Sequence, residues 1–164
     1  MNMGDMFFGR RIRQNHALEH ATVTVLSTQV ADLRVSARSS PQGFVIFGTI
    51  ESEKVRAAAE EALARLQAGE AQLAIHPNCG TNVAVGISLA SLSWLLSLTL
   101  VRPRTRLLSG VLGVMFAGMV ARRLGVVAQR HVTTLADLRG VRITSVTQRS
   151  YFGLSTVEVQ TVQG

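Results

Sequence analysis

The sequence predicts an α+β fold, a small sheet-and-helix domain into which a transmembrane helical hairpin is inserted. Three observations predict it. Two apolar runs, Val83–Val101 and Leu107–Ala121, lie back to back in mid-chain, separated only by Arg102-Pro103-Arg104-Thr105-Arg106. Helix-like and strand-like segments precede them. After them, Gly140–Thr147 and Leu154–Val162 alternate and are rich in β-branched residues, the pattern of half-buried strands.

Composition narrows the class. The chain has 164 residues, the length of one domain. It is 47% hydrophobic and only 16% charged, which excludes a disordered chain. A single cysteine, Cys79, excludes an intrachain disulfide framework. The net charge of +7 resides wholly in the second half, where nine arginines face two acidic residues. Those arginines punctuate apolar stretches, and aromatic residues are only 5% of the chain. That is the pattern of membrane-interface residues, and no nucleic-acid partner is expected.

Taken in order, the amino terminus has no sustained apolar stretch of the kind a leader carries. Ile12–Gln29 reads as a helix with apolar positions at Ile12, Leu18, Val23, Val25 and Leu26. Leu33–Ala37 and Phe44–Ile50 read as strands joined by a turn over Ser39–Gly43. Ser52 is placed as the N-cap of an Ala-rich helix, Glu53–Gln67, which Gly69 ends. Its stripe is Val55, Ala59, Ala62, Leu63 and Leu66. Leu73–Ile75 reads as a short strand leading into the loop His76–Asn82.

Val83–Val101 is 19 residues without a charge, roughly 28 Å of helix, close to the hydrocarbon thickness of a bilayer. Pro103 stops it and three arginines hold the turn. Leu107–Ala121 has 15 residues, closed by Arg122-Arg123, and is short for a span unless arginines extend at both ends or the bilayer thins locally. Ser109, Gly113, Ala117 and Ala121 recur every fourth residue, as do Gly86 and Ala90, which suits close helix packing in lipid. Against this, Ser88, Ser91, Ser93, Ser97 and Thr99, with Trp94 in mid-run, would also suit a buried hairpin in a soluble core. Two spans return the chain to its starting side, so the carboxy-terminal β-hairpin can join the first strands. The expected segments are 1–82 (helix, β-hairpin, helix, short strand), 83–128 (transmembrane hairpin) and 129–164 (β-hairpin). The expected location is the bacterial inner membrane, multi-pass, with the lipid bilayer as partner and both termini in the cytoplasm. Counting arginines across the spans gives three on each side and does not orient them.

His16-Ala17-Leu18-Glu19-His20 carries the chemistry. Residues four apart share a helix face, so His16 and His20 can hold one Zn2+ ion. Glu19 lies on the same side, placed to take a proton from a zinc-activated water and deliver it to a leaving amine. A third ligand is needed. Glu60 and Glu61 are candidates, as are His76 and Cys79, which stand three residues apart. His16, His20, His76 and Cys79 together would close a tetrahedral site. Asn15, Asn78 and Asn82 are candidates for orienting ligands or a substrate carbonyl, and His131 reads as an interfacial histidine. The structural alternative has the histidines packing against the sheet, with Glu19 paired to an arginine such as Arg13, and His76–Asn82 merely capping the first span.

The H-x-x-E-H order resembles the inverzincin metalloprotease signature over these five residues. Taken whole, NHALEHAT (Asn15–Thr22), GFVIFG (Gly43–Gly48) and HPNCGTN (His76–Asn82), followed by apolar spans, resemble a bacterial family of small two-span membrane proteins without an established activity. That resemblance implies that both histidine-bearing segments belong to one site. The expectation is a membrane-embedded zinc hydrolase of the peptidase kind, acting on a polypeptide or a membrane-proximal amide. The alternative is a non-enzymatic accessory or assembly subunit, its hairpin packing into a larger membrane complex through the Ser109-Gly113-Ala117 face.

Overall fold

A computed structural model describes residues 9–151 and 153–164. The leader reading of residues 1–8 and the turn residue Phe152 lie outside them. The chain divides into two compact units. One comprises the chain up to His76 together with Arg130–Gly164, the other Pro77–Gln129.

The first unit is α+β. It holds α1 (Arg10–Gln29), β1 (Ser36–Ser40), β2 (Gly43–Phe47), α2 (Ser52–Gln67), a 3-10 turn (Ala71–Ala74), β3 (Val141–Tyr151) and β4 (Leu154–Gln163). The four strands form one antiparallel sheet in the order β1-β2-β4-β3. The late hairpin therefore pairs with the early one through β4 against β2. Register sets the inner face, because strand side chains alternate. Phe44 stands opposite Val159 and Ile46 opposite Val157, and all four are buried. Ala17, Leu18, Ala21, Val25 and Leu26 of α1 cover that face, with Val55, Ala58, Ala59, Ala62 and Leu66 of α2. Small residues at four-residue spacing let both helices lie close to the sheet.

Several boundaries differ from expectation. β1 begins at Ser36 and runs through Ser39 and Ser40, because the turn is only Pro41-Gln42 between the paired Ser40 and Gly43. β2 stops at Phe47, where Gly48 adopts φ +145° and Ile50 N–H closes back on its carbonyl. Leu73–Ile75 is not a strand. Its amides bond locally, Leu73 to the Glu70 carbonyl and Ile75 to that of Gln72, which leaves none for a sheet partner. Ser52 is not the N-cap of α2. Glu51 holds that position without a side-chain cap, and the Ser52 N–H donates to Gln148 Oε1 of β3 at 3.1 Å.

The second unit is a helical hairpin of α3 (Gly80–Leu100) and α4 (Arg106–Ala128), joined by a 3-10 turn over Pro103–Thr105. The helices are antiparallel and closely packed. Gly86 faces Ala121, Gly113 faces Ser93, Gly110 faces Trp94 and Gly125 faces Asn82. The expected small-residue row was thus partly right. Gly113, Ala117 and Ala121 face inward, but Gly110 and Gly125 hold the tightest contacts and Ser109 does not. Arg122-Arg123 closes the apolar run but lies within the helix, which ends where the expected 83–128 segment does. Arginine is a good helix former, and α4 continues to Ala128 before a π-turn over Gln129–Thr133. The hydroxyls of Ser97 and Thr99 bond to carbonyls of their own helix, so they need no soluble core. Both helices are long and apolar enough to cross a membrane, and their large side chains point outward.

Candidate metal centre on the first helix

α1 carries Arg13, Gln14, Asn15, His16, Glu19 and His20 within two turns, all but His16 buried. Buried polar groups need partners, and these find them in distant segments. Arg13 donates to the carbonyls of His131 and Thr134 at 3.3 and 3.1 Å. Gln14 Nε2 donates to the Asp137 carbonyl at 2.8 Å. Asn15 ties the sheet to the helix, donating to the Ser40 carbonyl and accepting from the Thr161 hydroxyl. Asn15 is thereby a structural bridge rather than a group that orients ligands.

The two histidines are held alike. His16 Nδ1 lies 3.0 Å from the Thr133 carbonyl and His20 Nδ1 lies 2.8 Å from that of Ala74. A carbonyl only accepts, so in each neutral ring Nδ1 carries the proton and Nε2 the lone pair. The ring centroids are 4.3 Å apart, inclined at 64°. His76 joins them, its centroid 5.8 Å from that of His20. Burial pushes the His76 imidazole below its ordinary pKa, which favours the neutral, ligating form.

Glu19, one residue before His20, is buried and accepts a short hydrogen bond from the Ser39 hydroxyl of β1. Burial pushes its carboxyl above the ordinary range, while the Ser39 hydroxyl and the His16 imidazole pull it back. It is not paired with Arg13. Six residues along a helix put the two side chains about 120° apart, outside the three- and four-residue spacing that lets charges meet.

The remaining candidates have local partners of their own. Glu60 and Glu61 are exposed on α2, and Glu61 pairs with Arg65 and accepts from Gln29, nine residues beyond His20. Cys79 belongs to the second unit and caps α3, its sulfur accepting the Thr81 N–H at 3.3 Å. The capping reading of that segment holds, with sulfur rather than asparagine as the cap. Asn82 bridges Gln129 and the Pro77 carbonyl within the same unit. His131 is exposed. Sequence reasoning missed Ser39 and the Ala74 and Thr133 carbonyls. A serine beside a turn has no distinctive signal, and a carbonyl has none at all.

A family model described as a domain of unknown function, DUF6391, matches residues 11–146. The chain belongs to this family. An uncharacterised protein of the cyanobacterium Picosynechococcus is 38% identical over 142 residues, covering 77% of this chain and 67% of the relative. The stretch matched to the DUF6391 family includes all three clustered histidines, Cys79 and both apolar helices. No solved structure matches the chain.

Proposed function

We propose that this DUF6391 protein is a membrane-embedded, zinc-dependent hydrolase of the peptidase class, its centre built on α1. The observation that carries the reading is the shared tautomer of His16 and His20. Two backbone carbonyls hold the Nδ1 protons, which presents two Nε2 lone pairs one helical turn apart. Outer hydrogen bonds of this kind orient metal-ligating histidines. His76 is the third donor, beside His20. Cys79 is the fourth on sequence spacing alone, three residues beyond His76. Zinc in that set supplies Lewis acidity and a water acidic near neutral pH. Glu19 is the general base, and the Ser39 hydroxyl fixes its carboxylate. The length and apolar surface of α3 and α4 support placing them across the bilayer as two spans.

One observation favours the accessory-subunit reading. Glu19 is only 7% exposed, and a carboxylate so enclosed also suits a purely architectural role. The Ser109-Gly113-Ala117 face does not help that reading, because Gly113 and Ala117 are engaged inside the hairpin. Metal analysis of detergent-purified protein separates the two. Wild type is expected to carry stoichiometric zinc and His20→Ala to lose it. Glu19→Gln should keep the metal and abolish turnover of a peptide substrate. Zinc-free wild type ends the hydrolase reading, and a Glu19→Gln variant that fails to fold makes Glu19 architectural.

A further inference from the structure

The second unit contains five arginines and neither aspartate nor glutamate. Arg102, Arg104 and Arg106 sit at the hairpin tip. Arg122 and Arg123 are adjacent on α4 toward the opposite end, where the contact of Gly86 with Ala121 sets them level with the first turns of α3. Arg102, Arg104, Arg122 and Arg123 are exposed and form no ion pair among the described residues. Arg106 differs, donating from Nε to the Val101 carbonyl at 2.9 Å and so closing the end of α3. Between the two belts the surface is apolar, with Leu92, Leu95, Leu112, Met115, Phe116 and Met119 all more than half exposed.

Positive charge at both edges of an uncovered apolar band has no counter-charge within this unit. We propose that the two arginine belts bind anionic phospholipid headgroups, one belt in each headgroup layer. The proposal rests on the membrane-spanning reading above. The guanidinium fork matches phosphate oxygens two at a time, which an ammonium does not, and all five cations here are arginine. Leu107–Ala121, between the belts, is about 22 Å long. Arginine side chains extended at its ends bring the charges to the edges of a hydrocarbon layer of about 30 Å. A zwitterionic headgroup carries its own cation and leaves the excess uncompensated, whereas an anionic one neutralises it.

The test uses the full chain reconstituted in phosphatidylcholine vesicles with a trace of spin-labelled phosphatidylglycerol or phosphatidylcholine. The motionally restricted fraction of each label is compared. In parallel, quenching of Trp94, the sole tryptophan, by lipids brominated at defined depths reports whether the hairpin spans. Wild type should restrict phosphatidylglycerol several-fold over phosphatidylcholine. The preference should fall toward parity in Arg122→Gln/Arg123→Gln and be reduced in Arg102→Gln/Arg104→Gln, which spares the capping Arg106. Deep Trp94 quenching with equal restriction of both labels overturns the lipid inference and leaves the spans standing. Shallow or absent quenching overturns the spanning reading and the inference with it. A preference unchanged in both variants overturns the assignment to the arginines.

Discussion

At the scale of single residues, α1 spends its polar side chains on backbone rather than on one another. Arg13, Gln14, His16 and His20 each hold a carbonyl from a segment more than fifty positions away. Losing one such side chain leaves a desolvated acceptor, at a cost of about 1–3 kcal/mol. The acidic counterpart is Asp137, beside the carbonyl that Gln14 holds. Its carboxylate accepts from Arg139 Nε and a terminal guanidinium nitrogen at 2.9 Å each, and from the Arg139 backbone N–H at 3.2 Å. These bonds hold its pKa down to about 2, with Arg139 the dominant cause. A carboxyl depressed in the folded state contributes stability above its unfolded pKa, near 3.8, and loses that contribution as pH falls through its folded pKa. The thermal midpoint should therefore decline between about pH 4 and 2 more steeply in wild type than in Asp137→Asn. The difference should be small, because the carboxylate is 34% and Arg139 85% exposed to screening solvent. Identical acid limbs for the two proteins would show that the ion pair contributes nothing. The histidine pair itself was legible in sequence, because four-residue spacing on a helix fixes a shared face. What holds the rings was not, because main-chain carbonyls are placed by tertiary structure.

At the scale of elements, periodicity and composition gave the type of nearly every segment, and local chemistry shifted the ends. β1 extends through two serines because pairing with β2, rather than propensity, decides where a hairpin turns. α4 runs past the two arginines that close its apolar run because arginine is itself a good helix former. Within the hairpin, a four-residue row of small side chains was the visible signal, yet the closest approaches are at Gly110 and Gly125. Their importance comes from what lies opposite. A Cβ on Gly110 would lie 2.7 Å from the Trp94 ring, and one on Gly125 would lie 2.1 Å from Asn82 Oδ1. Trp94 sits in mid-run, where it packs across Gly110. Gly110→Ala should therefore push Trp94 aside and destabilise the hairpin by about 1–3 kcal/mol. Gly118→Ala, whose Cβ meets open space, should be neutral or stabilising by up to about 1 kcal/mol. Thermal melts in detergent, followed by Trp94 emission, rank the two. Equal behaviour would mean that helix propensity, not the Trp94 contact, governs the site.

At the scale of the whole molecule, the chain leaves the first unit after His76 and returns at Arg130. Contact order explains why this was only partly readable. The sheet pairs residues 43–47 with 156–160, and nothing in either strand announces a partner more than a hundred positions away. The hydrophobic runs announced the excursion, and the even number of helices announced the return. The histidines join exit and return. His20 holds the Ala74 carbonyl just before the exit, His16 holds the Thr133 carbonyl just after the return, and their rings are 4.3 Å apart. The two chain ends are thus held near one another by α1 itself. This predicts that the hairpin can be excised. A chain in which a Gly/Ser linker of about six residues, spanning roughly 13 Å, joins His76 to Arg130 should fold as a soluble α+β unit. It keeps the sheet, both covering helices and the whole apolar core between them. Circular dichroism and amide exchange should show four protected strands and two helices. The same protein tests the proposed metal centre. It retains His16, His20, Glu19 and His76 and lacks Cys79, so zinc affinity equal to that of the full chain would remove the thiol from the ligand set. A drop of about tenfold or more, restored by placing Cys three residues beyond His76 in the linker, would put it there. An excised chain that stays unfolded would show that the first unit needs the hairpin in order to fold.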